Sequence, residues 1–165
     1  MVRAFLGLGS NLGDRQAAID EALEALGHAG TRVSKRSPLY ETEPWGLLEQ
    51  PRFINAACEI ETSMGPLALL DLLKSLERDA GRVVTVRNGP RPLDMDILMY
   101  GNIRIRTPRL VVPHPGMLSR ATVLVPLADI AAQVRHPLTG KRIEEHLSGL
   151  YDIAGVAVFP PGLPE

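Results

Sequence analysis

The sequence predicts an α+β fold: a ferredoxin-like βαββαβ sandwich in which helices pack on a mostly antiparallel sheet. Two observations predict it. Segments that alternate apolar and polar residues are interleaved with segments of helical spacing, in the order β-α-β-β-α-β. The chain has 165 residues, 45% hydrophobic and 22% charged, which is typical of a globular domain. We therefore predict one domain over residues 1–165, with residues 158–165 as an extended tail.

The first three elements follow from the N-terminal pattern. VRAFLGLGS predicts a strand that ends in glycines. In NLGDRQAAIDEALEALG the apolar residues recur at helical spacing, with Asp14 as the N-cap and Gly27 as the C-cap. TRVSKRSPLYETEP, residues 31–44, is predicted to form a second strand that bends at Pro38.

The segment FINAACEIETS alternates with a period of two, as a strand does. One set of alternate residues is apolar throughout and is the predicted core face. The opposite face then carries Phe53 and Asn55 side by side, so that an aromatic ring lies next to a side-chain amide. The residues of the predicted core face are Ile54, Ala56, Cys58 and Ile60.

GPLALLDLLKSLERDAG predicts the second helix, with Pro66 in its first turn and Gly81 at its end. Lys74 and Glu77 lie at the edge of its apolar stripe. Residues 81–93 then show little regular pattern, and an irregular stretch of this length inside a compact domain is usually functional or mobile.

DMDILMYG predicts a further strand. Asp94 and Asp96 project from one face of it, while Met95, Ile97 and Met99 pack on the other. Beyond it, NIRIRTP is predicted to be a short hairpin partner, and RLVVPHPGMLSRATVLVPLADIA a loop and a third helix. HPLTGKRIEEHLSGL is predicted to form a turn and a closing helix.

The two aspartates of that strand form the main candidate site. Neighbouring carboxylates repel each other, and apolar surroundings make both costlier to ionise. A hard divalent cation removes the repulsion, and Mg²⁺ typically uses one or two carboxylates together with substrate phosphates. The preceding loop supplies Arg82, Arg87 and Arg91, whose guanidiniums suit phosphate. The pattern indicates phosphoryl transfer. The alternative is a solvated acidic pair that arginine neutralises.

GLGSNLG resembles a dinucleotide-binding fingerprint but does not match it. The spacing of Gly7, Gly9 and Gly13 is one residue too long, and no acidic residue follows about 20 residues further on. A P-loop is excluded because Asp14 stands where lysine is required. We interpret the segment as a packed turn between strand and helix, in which Gly9 also allows a ligand to approach the backbone closely.

Composition and charge exclude several classes of protein. A net charge of −1 argues against a protein that coats nucleic acid. No apolar run reaches the roughly 20 residues of a membrane helix, and MVRAFLGLGSN does not have the pattern of a signal peptide. The lone Cys58 excludes an internal disulfide and fits a reducing cytosol. We expect a cytoplasmic monomer or weak homodimer that binds neither nucleic acid nor membrane.

Several motifs together resemble a known family. GLGSNLGD, YETEPWG, QPRFINA, LERDAGR, NGPRPLDMDI and VVPHPGMLSRATVLVPL follow, in order, the landmarks of 6-hydroxymethyl-7,8-dihydropterin pyrophosphokinases. The most specific part is PR-x-x-D-x-D-I with the downstream VPHP. The resemblance implies an enzyme of folate biosynthesis. Such an enzyme moves the β,γ-pyrophosphoryl group of ATP to the pterin hydroxymethyl group and releases AMP.

The resemblance also implies how the phosphates and metal are held. Asp94 and Asp96 would hold two Mg²⁺ ions that bridge the phosphates of ATP, and Asp96 is the nearest candidate for a base. Arg82 and Arg91 would steady the phosphates during transfer, and Arg87 would join them from the loop. Further residues implied around ATP are Lys74, Glu77, Ile97, Arg109, His114 and Arg120.

The pterin site is implied in the same way. Phe53 would stack on the ring, Asn55 would bind the ring edge, and backbone groups of Thr42, Glu43 and Trp45 would recognise its polar rim. Closure of two long active-site loops, residues 44–52 and 82–92, would complete the site.

Two positions depart from the family pattern. Thr122 stands where the family often has an aromatic residue, so the pterin would be stacked on one side only, or covered by Trp45 on the other. Lys74 stands where an amide is common.

Two other functions fit the Asp-x-Asp strand or the fold. One is a metal-dependent glycosyltransferase, although the chain is short for that class and lacks a doubly wound pattern. The other is a non-catalytic ferredoxin-like regulatory or RNA-binding module. RNA readers of this shape place several aromatic residues on the sheet face, where this sequence offers only Phe53.

Overall fold

The computed structural model describes residues 1–43, 49–81, 89–151, 153 and 155–159. None of the helices in that part of the chain has the length and apolar character that crossing a membrane requires. The helices are α1 (Arg15–His28), α2 (Pro66–Asp79), α3 (Ala121–Ala131) and α4 (Ile143–Ser148). The strands are β1 (Val2–Ser10), β2 (Arg32–Arg36), β3 (Leu39–Thr42), β4 (Phe53–Thr62), β5 (Asp94–Tyr100), β6 (Ile105–Arg106), β7 (Val111–Val112) and β8 (Val156–Phe159).

Six of these strands form one sheet in the spatial order β5-β1-β4-β3-β8, with β2 also paired to β4. Each pairing in this sheet is antiparallel. Strands β6 and β7 form a separate two-stranded hairpin. The prediction that NIRIRTP pairs with the DMDILMYG strand was wrong, because β6 turns back onto β7 and β5 pairs with β1. The predicted α+β sandwich with a mostly antiparallel sheet is confirmed.

The predicted second strand is present as two shorter strands, because the chain breaks at Ser37 and Pro38. Ser37 bridges the break, since its backbone N–H donates to the Ala57 carbonyl at 2.8 Å and its hydroxyl accepts from the Ala57 N–H at 2.9 Å. Both strands therefore continue along β4. The second of them delivers Thr42 directly opposite Phe53 at one end of the sheet.

Helices cover both faces of the sheet. Helices α1 and α2 bury residues such as Leu26 and Leu73 against one face, in the larger core. Helices α3 and α4 bury Leu127 and Ile143 against the other face, in a second core. The prediction of a single core face for β4 was therefore incomplete. Ala57 lies on the face opposite the predicted core and is only 1% exposed, because it packs in the second core.

A β-bulge in β5 changes which face its later residues occupy. Leu6 pairs with Ile97 and Phe5 pairs with Met99, so that Leu98 is an extra residue between them. Met99 consequently packs in the second core with Phe5 and Leu98. The prediction that Met99 packs on the same face as Ile97 was wrong, because a regular period of two does not anticipate a bulge.

The helix ends follow capping rules with one shift. Asp14 is the N-cap of α1, and its carboxylate accepts a hydrogen bond from the Ala17 N–H at 3.0 Å. Helix α1 continues past the predicted C-cap Gly27, because it is Gly30 that adopts a left-handed φ of 79°. Gly81, with a φ of 93°, follows α2 as predicted.

Two residues of the predicted tail, residues 158–165, belong to a strand of the sheet. Val158 and Phe159 belong to β8, which pairs with β3. The ring of Phe159 lies 5.4 Å from the Arg15 guanidinium carbon. Residues 160–165 lie outside the described part of the chain.

Candidate functional site

The floor of the candidate site is formed where three strands run side by side. Gly7 and Gly9 of β1 lie opposite Asp96 and Asp94 of β5, and on the other side Gly9 lies opposite Asn55 of β4. A Cβ added at Gly9 would be only 2.8 Å from Asn55 Oδ1, so no larger residue fits there without displacing the amide. The two glycines therefore open a groove between the carboxylates and the amide.

The groove widens into a cleft between the sheet and the start of α3. Its walls combine carboxylates, guanidiniums, an aromatic ring and small side chains, which are the groups expected for a phosphorylated and a planar ligand. The cleft is lined by Thr42, Glu43, Phe53, Asn55, Arg91, Asp94, Asp96, Arg120, Thr122 and Val123.

Burial and neighbouring carboxylates make ionisation of Asp96 in the acidic pair unfavourable. Burial raises the pKa of Asp96 to about 7, and the carboxylates of Asp94 and Glu77 act in the same direction. The charges of Lys74 and Arg91 oppose the rise in pKa only partly. Ionisation of Asp96 is therefore disfavoured mainly by burial and further by the neighbouring carboxylates.

This pKa gives an expected pH dependence for the metal-free protein. Because the folded pKa lies above the unfolded value of about 4, the folded state holds a proton between these values that the unfolded state releases. This component of stability is complete below pH 4 and is lost as the pH rises through 7. We expect the stability advantage of Asp96→Asn over the wild type to increase by on the order of 1–3 kcal/mol between pH 5 and pH 8. Urea unfolding with EDTA measures the difference, and a difference independent of pH would contradict the assignment.

Glu77 is buried rather than exposed at the edge of α2. It is 2% exposed, and its carboxylate accepts the Met95 N–H at 2.8 Å and pairs with Lys74 Nζ at 3.2 Å. This contact occupies a backbone donor on the outer edge of β5, at the residue between the two aspartates. Glu77 thereby fixes the strand that carries the acidic pair.

Phe53 and Asn55 face the cleft together, as the alternation of β4 predicted. The Asn55 amide donates to the Thr42 hydroxyl, which is fully buried on the neighbouring strand. That hydrogen bond fixes the orientation of the amide. Glu43 follows at the rim of the cleft, and its backbone N–H donates to the Gly155 carbonyl at 3.3 Å.

Arg91 stands between the loop and the acidic pair. Its guanidinium donates to Asp94 Oδ1 at 3.1 Å, and both side chains are 25% exposed. Its backbone N–H donates to Asn11 Oδ1 at 2.7 Å. The arginine is therefore held at both its backbone and its side chain.

The residues implied around ATP are only partly brought together. Arg120 lines the cleft. Burial and the nearby charge of Arg120 lower the pKa of the His114 imidazole, which is therefore neutral at pH 7. Arg109 lies outside the cleft lining and pairs with Asp71 on the surface. The side chain of Ile97 is buried in the larger core, so it can reach a nucleotide only through its backbone.

Three sequence-predicted site residues, Trp45, Arg82 and Arg87, lie outside the described residues. Conversely, sequence reasoning missed the cleft-lining Val123 and the contacts of Asn11. The motif GSNLGD contains Asn11, but its role becomes visible only when the distant segments it contacts are placed in space.

The arrangement can bind metal and phosphate. Within the described residues, no group of three or more histidine, cysteine, aspartate or glutamate side chains could enclose a metal ion. A pair of carboxylates beside guanidiniums instead suits a cation whose other ligands are phosphate oxygens and water. Together with the adjacent Phe53 ring and Asn55 amide, this composition is the one expected of a phosphoryl-transfer enzyme with a planar second substrate.

Comparison with known proteins identifies the class more closely. The family model described as 7,8-dihydro-6-hydroxymethylpterin-pyrophosphokinase (HPPK) matches residues 5–132. A 2-amino-4-hydroxy-6-hydroxymethyldihydropteridine pyrophosphokinase of Bacillus subtilis is 43% identical over 143 residues, which cover 86% of each chain. The protein of the same name from Methylorubrum extorquens is 44% identical over 157 residues, which cover 94% of this chain and 98% of that one. The chain belongs to this pyrophosphokinase family.

Other relatives are much longer proteins. The folic acid synthesis protein fol1 of Pneumocystis carinii is 41% identical over 148 residues, which are 90% of this chain but 20% of that protein. The crystal structure of Plasmodium falciparum HPPK-DHPS with pteroate matches the fold with a TM-score of 0.70 at 17% identity, covering 89% of this chain and 42% of that one. The chain thus corresponds to nearly all of some relatives and to one part of others.

Proposed function

We propose that the chain transfers the β,γ-pyrophosphoryl group of ATP to the hydroxymethyl group of 6-hydroxymethyl-7,8-dihydropterin and releases AMP, a step of folate biosynthesis. Membership of the pyrophosphokinase family supports this reaction over a glycosyltransferase or a non-catalytic module. The single observation that carries it is the composition of the cleft, in which an acidic pair and Arg91 lie beside Phe53 and Asn55.

The acidic pair fits two Mg²⁺ ions. Asp94 and Asp96 offer hard oxygen ligands, and a cation between them would offset both the burial and the mutual repulsion that raise the pKa of Asp96. When bound, Mg²⁺ would offset the charge of the phosphate oxygens and acidify the pterin hydroxyl.

The other groups of the cleft orient the phosphates. Arg91 and Arg120 both line the cleft, where their guanidiniums would neutralise the negative charge of the phosphates. The hydroxyl oxygen of the pterin would attack the β-phosphorus in line and release its proton to water. The bond between the β-phosphorus and the oxygen bridging the α- and β-phosphates breaks, and AMP leaves with that oxygen. The neutral imidazole of His114 can hydrogen-bond a phosphate without adding charge.

Phe53 and Asn55 would bind the pterin. A planar ring in the slot stacks on the Phe53 ring, and the Asn55 amide, which Thr42 orients, reads the ring edge. The groove above Gly7 and Gly9 gives the ring access to the backbone. The hydroxymethyl group can then face the aspartates on the adjoining strand.

The direct test is to incubate the protein with ATP, Mg²⁺ and the hydroxymethyl pterin and to analyse the products. We expect AMP and a diphosphorylated pterin in equal amounts, and no AMP when the pterin is omitted. Formation of ADP and a monophosphorylated pterin, or no consumption of ATP, would contradict the proposal.

The cleft has an aromatic ring at Phe53 but only a small side chain at Thr122, and this difference gives a prediction about pterin affinity. Thr122 lines the cleft from the first turn of α3, a helix that the Tyr40–Asp129 hydrogen bond ties to β3. We expect Thr122→Phe to tighten pterin binding by roughly 2- to 13-fold, because a second aromatic ring adds about 0.5–1.5 kcal/mol. Calorimetric titration with pterin measures the change. Thr122→Val, which adds no ring, is the control, and equal affinities of the two variants would contradict a stacking role for position 122.

We also propose that residues 1–165 act as one domain and as a monomer or weak homodimer. The family model spans residues 5–132, and β8, which lies beyond it, pairs with β3 of the same sheet.

A further inference from the structure

Asn11 joins three segments at the end of the sheet where the cleft opens. The regular pairing of β1 ends at Ser10, and the next residue, Asn11, is 1% exposed. Its side-chain Nδ2 donates to Gln50 Oε1 at 2.9 Å and to the Pro51 carbonyl at 3.0 Å. On its other side, its Oδ1 accepts the Arg91 N–H at 2.7 Å, and its own N–H donates to the Arg91 carbonyl at 3.0 Å.

The side-chain amide of Asn11 therefore links the segments on either side of the end of β1. Both of its N–H groups and its oxygen are used, so the side chain has no spare hydrogen-bonding donor. A buried amide satisfied in this way is strongly oriented, because turning it would break all three contacts at once.

The sequence around Arg91 makes this contact specific. Pro90 and Pro92 flank Arg91, and proline has no backbone N–H. The Arg91 N–H is thus the only backbone donor in this tripeptide, and Asn11 accepts it. With its backbone held at both N–H and carbonyl, Arg91 directs its guanidinium to Asp94 at 3.1 Å.

The hydrogen bonds from the Asn11 side chain to Gln50 and Pro51 hold the segment that leads into Phe53. Pro51 lies two residues before Phe53, at the start of β4. We infer that Asn11 is a positioning residue, whose amide holds Arg91 and the start of β4 in a fixed relation so that the guanidinium and the Phe53 ring meet their substrates together. This inference rests on the proposed function for what the two groups bind.

Two substitutions separate the hydrogen bond that Asn11 accepts from Arg91 from those that it donates to Gln50 and Pro51. Asn11→Asp keeps an oxygen that accepts the Arg91 N–H but loses the donors to Gln50 and Pro51. Asn11→Ala loses all three of these side-chain hydrogen bonds. We expect Asn11→Asp to raise the KM for pterin at least tenfold with a smaller change in kcat, because only the aromatic side is released. We expect Asn11→Ala to lower kcat at least tenfold as well, because the Arg91 N–H loses its side-chain acceptor. The matched controls are Asn102→Asp and Asn102→Ala at an exposed turn, which should leave both constants unchanged.

Amide hydrogen exchange of Arg91 provides a readout that loss of stability alone would not produce. Protection of this amide should fall in Asn11→Ala and persist in Asn11→Asp, at a temperature where both variants are folded. Equal protection in the two variants would overturn the inference, as would kcat and KM within threefold of wild type. If the wild type releases no AMP, the proposed function fails, but amide exchange and pterin titration of the same variants still decide whether Asn11 positions the two segments.

Discussion

Asp96→Ala is expected to reduce kcat by about a thousandfold or more while leaving the protein folded, because it removes half of the acidic pair. Asp94 alone is already engaged by the Arg91 guanidinium at 3.1 Å, and so it cannot replace the missing carboxylate. A metal-stabilised transition state supplies several kcal/mol, and about 1.4 kcal/mol corresponds to each factor of ten in rate. The fold should persist, because Asp96 faces the cleft and not either core.

AMP release by the purified variant measures this loss, with circular dichroism and thermal unfolding as checks of the fold. Asp79→Ala, at the exposed end of α2, is the matched control and should retain wild-type turnover. Asp96→Asn should be as inactive as Asp96→Ala, because a neutral amide is a poor ligand for Mg²⁺. Turnover within tenfold of wild type in either variant would rule out the role of the pair in metal binding.

Arg91→Ala is expected to lower kcat/KM by about 10²–10³, the usual cost of removing one charged donor from a preorganised site. The Arg91 guanidinium contacts the acidic pair directly and also lines the cleft. Its loss removes the ion pair with Asp94 and would also remove the proposed phosphate contact. The effect should fall mainly on kcat, since charge on the phosphate oxygens increases in the transition state.

Arg91→Lys is a sharper version of the same experiment. It preserves the charge but not the planar fork, and so partial recovery is expected if the arginine binds phosphate through two donors. Arg78→Ala, an exposed arginine in the last turn of α2, is the matched control. If Arg91→Ala and Arg78→Ala behaved alike, Arg91 would have no part in catalysis.

Local patterns are sufficient to predict much of this site. The period of two in β4 and β5 predicts that Phe53 shares a face with Asn55 and Asp94 with Asp96, and both pairs do line the cleft. Strand and helix positions are predictable for the same reason, since alternation and capping are properties of neighbouring residues. The break at Pro38 is anticipated as a bend because proline is the local cause.

The features that sequence reasoning missed all depend on distant segments. Burial of Glu77 requires β5 to lie against α2, and its acceptor role for the Met95 N–H requires that strand to be at the sheet edge. Burial of Ala57 requires α3 to cover the second face. The contacts of Asn11 span 39, 40 and 80 residues, far beyond any local pattern.

The bulge at Leu98 has a consequence for the groove beside the acidic pair. It places two consecutive large side chains, Leu98 and Met99, in the second core, where a regular strand would place only one. Leu98 also lines the groove together with Asp96 and Thr122, and a Cβ at Gly7 would lie only 3.5 Å from its Cδ2. A chain lacking this one residue would keep all of its reactive groups but would lose the side chain that separates the groove from the second core.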